Sequence, residues 1–296
     1  MRNKLFVLLL AALTSTLANA DIIHQEKSLY RNIFVEDRDN LRCLKFNVKD
    51  TLTHQSCMLK NDPDYLVFNY TKMMFASLLM IEPPKSVLII GLGGGTMSNT
   101  IHHLYPDAII DNVEIDPAVV KVARKYFDFI ENDKISTIEA DGRIFIKRAA
   151  LRKQSYDWII LDAFNGDYIP EHLLTKEFLE ETKALLSENG VVAANTFSSS
   201  ALYDYESATY YDVFGDYYQV QTQRRSNRII LATKSGQVDS ELITKRAEAV
   251  DASLKDYGID IYELINAMSS TKNNQDWPKN TRILTDQYSP ANLLNQ

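Results

Sequence analysis

From residue 86 onward the chain alternates two patterns. Short apolar runs fall at 86–90, 109–115, 135–139, 156–161, 190–196, 217–223 and 227–234, each bounded by polar or glycine positions. Runs of this length and make-up predict buried strands. Between them, near 96–105, 117–128, 142–152, 175–187 and 200–214, apolar residues recur at helical spacing. Strand–helix alternation predicts an α/β fold, with a mainly parallel seven-stranded sheet covered by helices on both faces. Only "RRSN" separates the last two runs, so they should form a hairpin and place one antiparallel strand in the sheet. Helices at 239–256 and near 260–268 should follow.

The pattern before residue 86 is different. "SLYRNIFVED", "LRCLKFNV" and "TLTHQSCML" predict three short strands in a small β unit over 28–60. Helical spacing over 64–81 predicts a helix that Pro83-Pro84 ends. With a turn near Asp50, paired residues sum to 100 and Cys43 faces Cys57. These two cysteines form either a disulfide or a pair of buried thiols.

The first twenty residues follow neither pattern. A basic "MRNK", a nine-residue apolar core "LFVLLLAAL" and a small-x-small "ANA" read as a signal peptide cut after Ala20. The apolar core is too short to span a bilayer. The alternative is a short anchor left uncleaved. The expected organisation is a signal peptide at 1–20, a small N-terminal β-domain at 21–62 and a Rossmann-like domain at 63–296. The protein should be exported, periplasmic or secreted, with no stable membrane insertion after cleavage. Loss of Arg2 and Lys4 with the leader would move the net charge from −7 to −9. An acidic protein is a poor general binder of nucleic acid, whereas small cationic partners are compatible with it.

The chemistry gathers at the carboxyl ends of the predicted strands, the edge where open α/β sheets bind ligands. After the first comes "GLGGGTM", with Gly91, Gly93, Gly94 and Gly95. A dinucleotide fingerprint would need glycine at 96, which is Thr96. A G-x-G-x-G loop suits the amino-acid and ribose parts of an S-adenosyl ligand, or is simply a tight strand–helix turn. Glu114 ends the second strand, where an acid can accept both ribose hydroxyls, or can sit solvated at a helix start. Asp141-Gly142 ends the third. Asp141 can accept from an adenine amine or cap the next helix. Asp162 ends the fourth.

These segments, taken together, resemble the spermidine synthases, the polyamine aminopropyltransferases. The likeness runs from about 28 to 294. "KSLYRNIFVED" is similar to that family's opening strand, "VLIIGLGGG" to its glycine loop and "VEIDPAVVKVARKYF" to its ribose-binding acid and following helix. "ADGRIFI" is similar to its adenine-binding segment, and "YDWIILDAFNGDYIPEHLLTKEFLE" to its catalytic loop. The resemblance implies a methyltransferase-type Rossmann fold behind a small N-terminal β-domain. It implies Asp162 as the catalytic acid residue, Glu114 on the ribose, Asp141 and Gly142 on adenine, and Pro170 lining the nucleoside pocket. Gly91, Gly93 and Gly95 would shape the donor site. Tyr70, Asn165 and Asp167 would lie on the amine side. The implied reaction moves an aminopropyl group from decarboxylated S-adenosylmethionine to an amine such as putrescine. It needs no metal and no permanently bound cofactor, only an S-adenosyl-type co-substrate.

Several positions depart from the family pattern. Thr96 stands where the family carries an aspartate for the donor's ammonium, and Arg31 where it has a glutamine. Thr71-Lys72 replaces a His- or Gln-Glu pair, and Asn165 replaces the second acid of the catalytic loop. Asp167 either substitutes for that acid or is an ordinary turn carboxylate. Arg31 either faces the pocket, where it could pair with a carboxylate, or lies on an edge strand. These departures leave an S-adenosylmethionine-dependent methyltransferase, or a non-catalytic exported nucleoside- or amine-binding protein, as alternatives. A homodimer is compatible with the sequence.

The remaining candidates read as structure. His102 and His103 diverge by about 100° on a helix and cannot chelate together. Ser198-Ser199-Ser200 lacks a nearby base and should cap the next helix. The tyrosines of "ALYDYESATYYDVF" have core spacing.

Overall fold

The computed structural model describes residues 20–47, 54–164, 168–222 and 227–290. The leader, the turn around Asp50, and Asn165 with Asp167 lie outside the described residues.

A four-stranded antiparallel sheet comes first: β1 (Asp21–Lys27), β2 (Asn32–Arg38), β3 (Leu41–Lys45) and β4 (Ser56–Leu59). The register of β3 and β4 sets Cys43 opposite Cys57, and a disulfide joins them. β1 is an addition to the three expected strands. Its sequence, DIIHQEK, lies mostly exposed at the sheet edge and so shows no buried alternation. Residues 28–31 form the turn into β2, closed by the Ser28 amide donating to the Arg31 carbonyl (2.9 Å), rather than the start of a strand.

The connection to the second sheet is less helical than its spacing predicts. α1 covers Asn69–Met74 and tightens into a 3₁₀ turn over Phe75–Leu79. Before it, the Leu66 amide donates to the Tyr257 carbonyl (3.1 Å), a tertiary partner in place of a helical one.

The second sheet has eight strands in the order β12-β10-β11-β9-β8-β5-β6-β7. Along the chain, β5 (Ser86–Ile90) leads to α2 (Thr96–Leu104), β6 (Ile109–Glu114), α3 (Pro117–Tyr126), β7 (Ile135–Glu139) and α4 (Gly142–Leu151). Then come β8 (Tyr156–Leu161), α5 (Lys176–Ala184), β9 (Leu186–Phe197), α6 (Tyr203–Phe214), β10 (Tyr218–Val220) and β11 (Asn227–Thr233). α7 (Ser240–Leu254), α8 (Ile261–Asn266) and β12 (Met268–Ser270) complete it. β9, β8, β5, β6 and β7 are parallel, and β11 runs antiparallel to β9. Beyond the seven expected strands, the short β12 pairs antiparallel with β10. It takes up Met268–Ser270, at the end of the segment expected to be helical.

Alternation along each strand sends side chains to opposite faces. Val87, Ile89, Trp158 and Ile160 pack on one face with α2 and α7, while Leu88, Ile90, Ile159 and Leu161 pack on the other with α4, α5 and α6. A third cluster joins Ile33, Val35, Leu44 and Met58 of the small sheet to Ala118, Val119, Val122 and Phe127 of the α3 region. Burying a side chain of this kind contributes about 1.5–3 kcal/mol each. This contact therefore holds the small sheet over the carboxyl edge of the large one.

Candidate functional site

Strand order reverses at β5, with β6 on one side and β8 on the other. Ligands of open α/β sheets bind outside such a switch point. Here a cavity of about 940 Å³ opens at that place. It is lined by the strand ends and, from the segments that flank the small sheet's strands, by Arg31, Phe46, His54 and Gln55. Gly91 must be glycine to permit the junction. Its φ is +97°, and a Cβ there would stand 2.3 Å from the Asp162 carbonyl oxygen. β5 and β8 thus end in contact, and the Asp162 amide donates to the Ile90 carbonyl (2.8 Å).

Glu114 reaches the cavity from the end of β6. One carboxylate oxygen accepts from the Leu92 amide and the other from the Asp116 amide, both at 3.0 Å. Burial pushes its carboxyl up, while the two amides and the nearby Arg31 guanidinium oppose the rise. Each oxygen keeps acceptor capacity for a ligand hydroxyl. Asp141 is a helix cap that also borders the cavity. It caps α4 by accepting from the Ile144 amide (3.0 Å), and it lines the cavity beside Gly142. Its second oxygen meets His172 Nε2 at 2.8 Å.

Asp162, half-buried, lines the cavity from the end of β8. Asn195 Nδ2 donates to its Oδ1 at 2.8 Å, and the Tyr70 hydroxyl donates to the same carboxyl group. Burial raises its pKa to about 7, with the two donors opposing and the Glu114 charge adding to the rise. Burial also raises the Tyr70 phenol well above its ordinary range, and the Asp162 charge reinforces this, so Tyr70 stays a donor.

Gly93 and Pro170 also line the cavity. Gly95 does not. It is the N-cap of α2 at φ +79°, where a Cβ would sit 2.3 Å from a Phe129 ring carbon. Thr96, the next residue, is likewise outside the cavity lining. Thr71 is buried with its hydroxyl on the Phe68 carbonyl (2.7 Å), and Lys72 turns away to the Tyr65 hydroxyl (3.0 Å). Neither therefore places its group against the cavity.

Arg31 does face the cavity, and it precedes β2 rather than lying in an edge strand. Its Nη1 donates to the Phe164 carbonyl (3.2 Å), its guanidinium stacks on Phe46 (4.3 Å), and its Nε lies 4.0 Å from the Asp116 carboxylate. It links the small sheet to the segment that follows Asp162.

The family model for the spermine/spermidine synthase domain matches residues 67–226. The chain belongs to this family. Over 293 residues it is 44% identical to a polyamine aminopropyltransferase of Vibrio vulnificus, covering 98% of this chain and 97% of that one. Among solved structures it is similar to a probable spermidine synthase from Corynebacterium glutamicum, with TM-score 0.69 and 19% identity over 91% of this chain and 98% of that one. At that identity the likeness shows the fold. Human methyltransferase-like protein 13, solved in complex with SAH, gives TM-score 0.59 and 26% identity over 64% of this chain and 93% of that one.

Asn195, Asn227 and His172 are among the cavity residues that the sequence did not mark as part of the site. The amides carry no charge or period, and His172 acquires meaning only through Asp141. The Ser198–Ser200 run also differs from expectation. The N-cap of α6 is Leu202, with no side-chain cap bond, and Ser200 Oγ instead accepts from the Leu202 amide (3.0 Å). His102 and His103 have separate partners, Asn132 and Asp64. His54 lies near both cysteine sulfurs, but the disulfide leaves no thiolate for a metal there.

Proposed function

We propose that the protein transfers an aminopropyl group from decarboxylated S-adenosylmethionine to a small amine, with Asp162 as general base. The observation that carries this reading is the Asp162 carboxyl on the cavity wall, with a pKa of about 7 and two donors fixing it. The likeness to the Vibrio aminopropyltransferase over nearly the whole chain supports it.

In this reading Glu114 accepts the ribose hydroxyls, and Asp141 with Gly142 faces the adenine edge. The acceptor begins as an ammonium with a pKa of roughly 10. Its proton passes to Asp162, and the freed nitrogen lone pair attacks the carbon beside the sulfonium. The carbon–sulfur bond breaks, its electron pair neutralises the sulfur, and methylthioadenosine leaves. Moving the proton to an ordinary aspartate would be uphill by about six pH units, or ~8 kcal/mol. Moving it to a carboxyl near 7 is uphill by about three, or ~4 kcal/mol. Burial of Asp162 thus removes a substantial part of the cost of making the nucleophile.

The reading includes export after Ala20, supported by the Cys43–Cys57 disulfide, since such bonds persist in oxidising compartments. Methyl transfer from intact S-adenosylmethionine is the second reading. It is favoured by the Arg31 cation on the cavity wall. Calorimetry of the protein against methylthioadenosine, S-adenosylmethionine and its decarboxylated form, followed by product mass with putrescine, separates the two. Tight binding of the decarboxylated donor and a transferred aminopropyl group support the first. Preference for the intact donor with a methylated product supports the second. No binding of any adenosyl compound removes both.

A further inference from the structure

Asn195 and Asn227 stand on neighbouring strands β9 and β11, at the end that faces the cavity. Asn227 Nδ2 donates to Asn195 Oδ1 at 2.9 Å, and Asn195 Nδ2 donates to Asp162 Oδ1 at 2.8 Å. A carboxamide has one accepting end and one donating end. With the accepting end held by Asn227, the donating end must turn to Asp162. In the reversed orientation, an amide oxygen would face the carboxyl, which is tolerated when Asp162 is protonated and donates. The direction of one side-chain amide therefore selects which form of Asp162 is favoured.

We propose that Asn227, acting through Asn195, is a positioning residue that keeps Asp162 an acceptor, and hence a base. The inference rests on the reading of Asp162 as the base. Hydrogen bonds across β9 and β11 already join the strands through their backbones, with Asn195 opposite Ile229 and Phe197 opposite Asn227. The amide pair is not needed to zip them. The titratable groups acting on Asp162 are the Tyr70 phenol, from α1, and the Glu114 carboxylate, from β6. Tyr70 provides a second donor, so loss of the asparagine chain should weaken the acceptor form without abolishing it. Glu114 pushes the other way, and Asn195 stands against that push.

The test reads Asp162 directly, by carbon-13 NMR of aspartate side-chain carboxyls in the unliganded full chain, with the resonance identified by its loss in Asp162→Asn. Asn227→Ala should move the Asp162 midpoint up by about one pH unit, a tenfold lower ionised fraction at a given pH. Asn195→Ala should do at least as much. Asn227→Ser, which keeps a hydroxyl donor, should recover part of the shift, and it serves as the second variant if the alanine form does not fold. The pH profile of kcat/KM should move by the same amount, with donor KM unchanged and activity recovered at high pH. An unmoved Asp162 midpoint in folded Asn227→Ala and Asn195→Ala would overturn the proposal. A moved midpoint in a protein that transfers nothing would keep the amide lock and overturn the proposed function instead.

Discussion

The two halves of the cavity hold their acids in different ways. On the side proposed for the nucleoside, backbone amides hold Glu114 (those of Leu92 and Asp116) and one oxygen of Asp141 (that of Ile144), with the His172 ring on the other Asp141 oxygen. On the side proposed for the amine, Asp162 is held by side chains alone, those of Asn195 and Tyr70. Backbone donors come with the strand–loop–helix turn itself, so they fix an acid in one role. Side-chain donors are separate choices and leave room to tune a pKa. In the proposed reading, the first arrangement suits holding a nucleoside still, and the second suits moving a proton.

The comparison breaks most visibly at Asp162. Asp162→Asn should lower the single-turnover rate of aminopropyl transfer by roughly 10²–10⁴-fold, the range of a general base. Methylthioadenosine affinity should stay within a few-fold by calorimetry, because the backbone-held half is untouched. A parallel loss of both would show that the halves are not separable.

The same residue should carry a stability cost. The folded pKa of about 7 lies above the unfolded value of roughly 3.9. Between those values the folded state holds the extra proton, so stability falls as pH rises from about 4 to 7. Asp162→Asn should therefore stabilise the protein at pH 8 by on the order of 2–4 kcal/mol and change it little at pH 4. Denaturant melts at the two pH values check this.

On the nucleoside side, Glu114→Gln should weaken methylthioadenosine by about 10–100-fold, the worth of charged hydrogen bonds to hydroxyls. It should keep the pH dependence set by Asp162 but move its midpoint down, because the Glu114 charge no longer adds to the rise. The smallest effect is expected at His172. His172→Ala should change adenosyl affinity by no more than about 5-fold, since the amide of Ile144 still orients Asp141. Calorimetry measures both.

The contrast also explains what was legible in the chain. Strands over 86–90, 135–139 and 156–161 match their apolar runs, and Glu114, Asp141 and Asp162 mark strand ends within their own local segments. A backbone-held acid is a local pattern. Tyr70 entered through a family likeness, because its meeting with Asp162 joins distant segments. Asn195 and Asn227 depend on the register of antiparallel β9 and β11, which no single segment encodes. The direction of Arg31 depends on the turn at 28–31 and on β1, an exposed edge strand with little apolar signal. The position of Lys72 suggested a change of charge in the site, yet its partner Tyr65 takes the ammonium elsewhere.

The most direct test is the pH profile of single-turnover transfer from decarboxylated S-adenosylmethionine to putrescine. The rate should rise with unit slope and level off above a midpoint near 7, set by ionisation of Asp162. A midpoint in the ordinary carboxylate range near 4, a flat profile, or no transfer at any pH would contradict it.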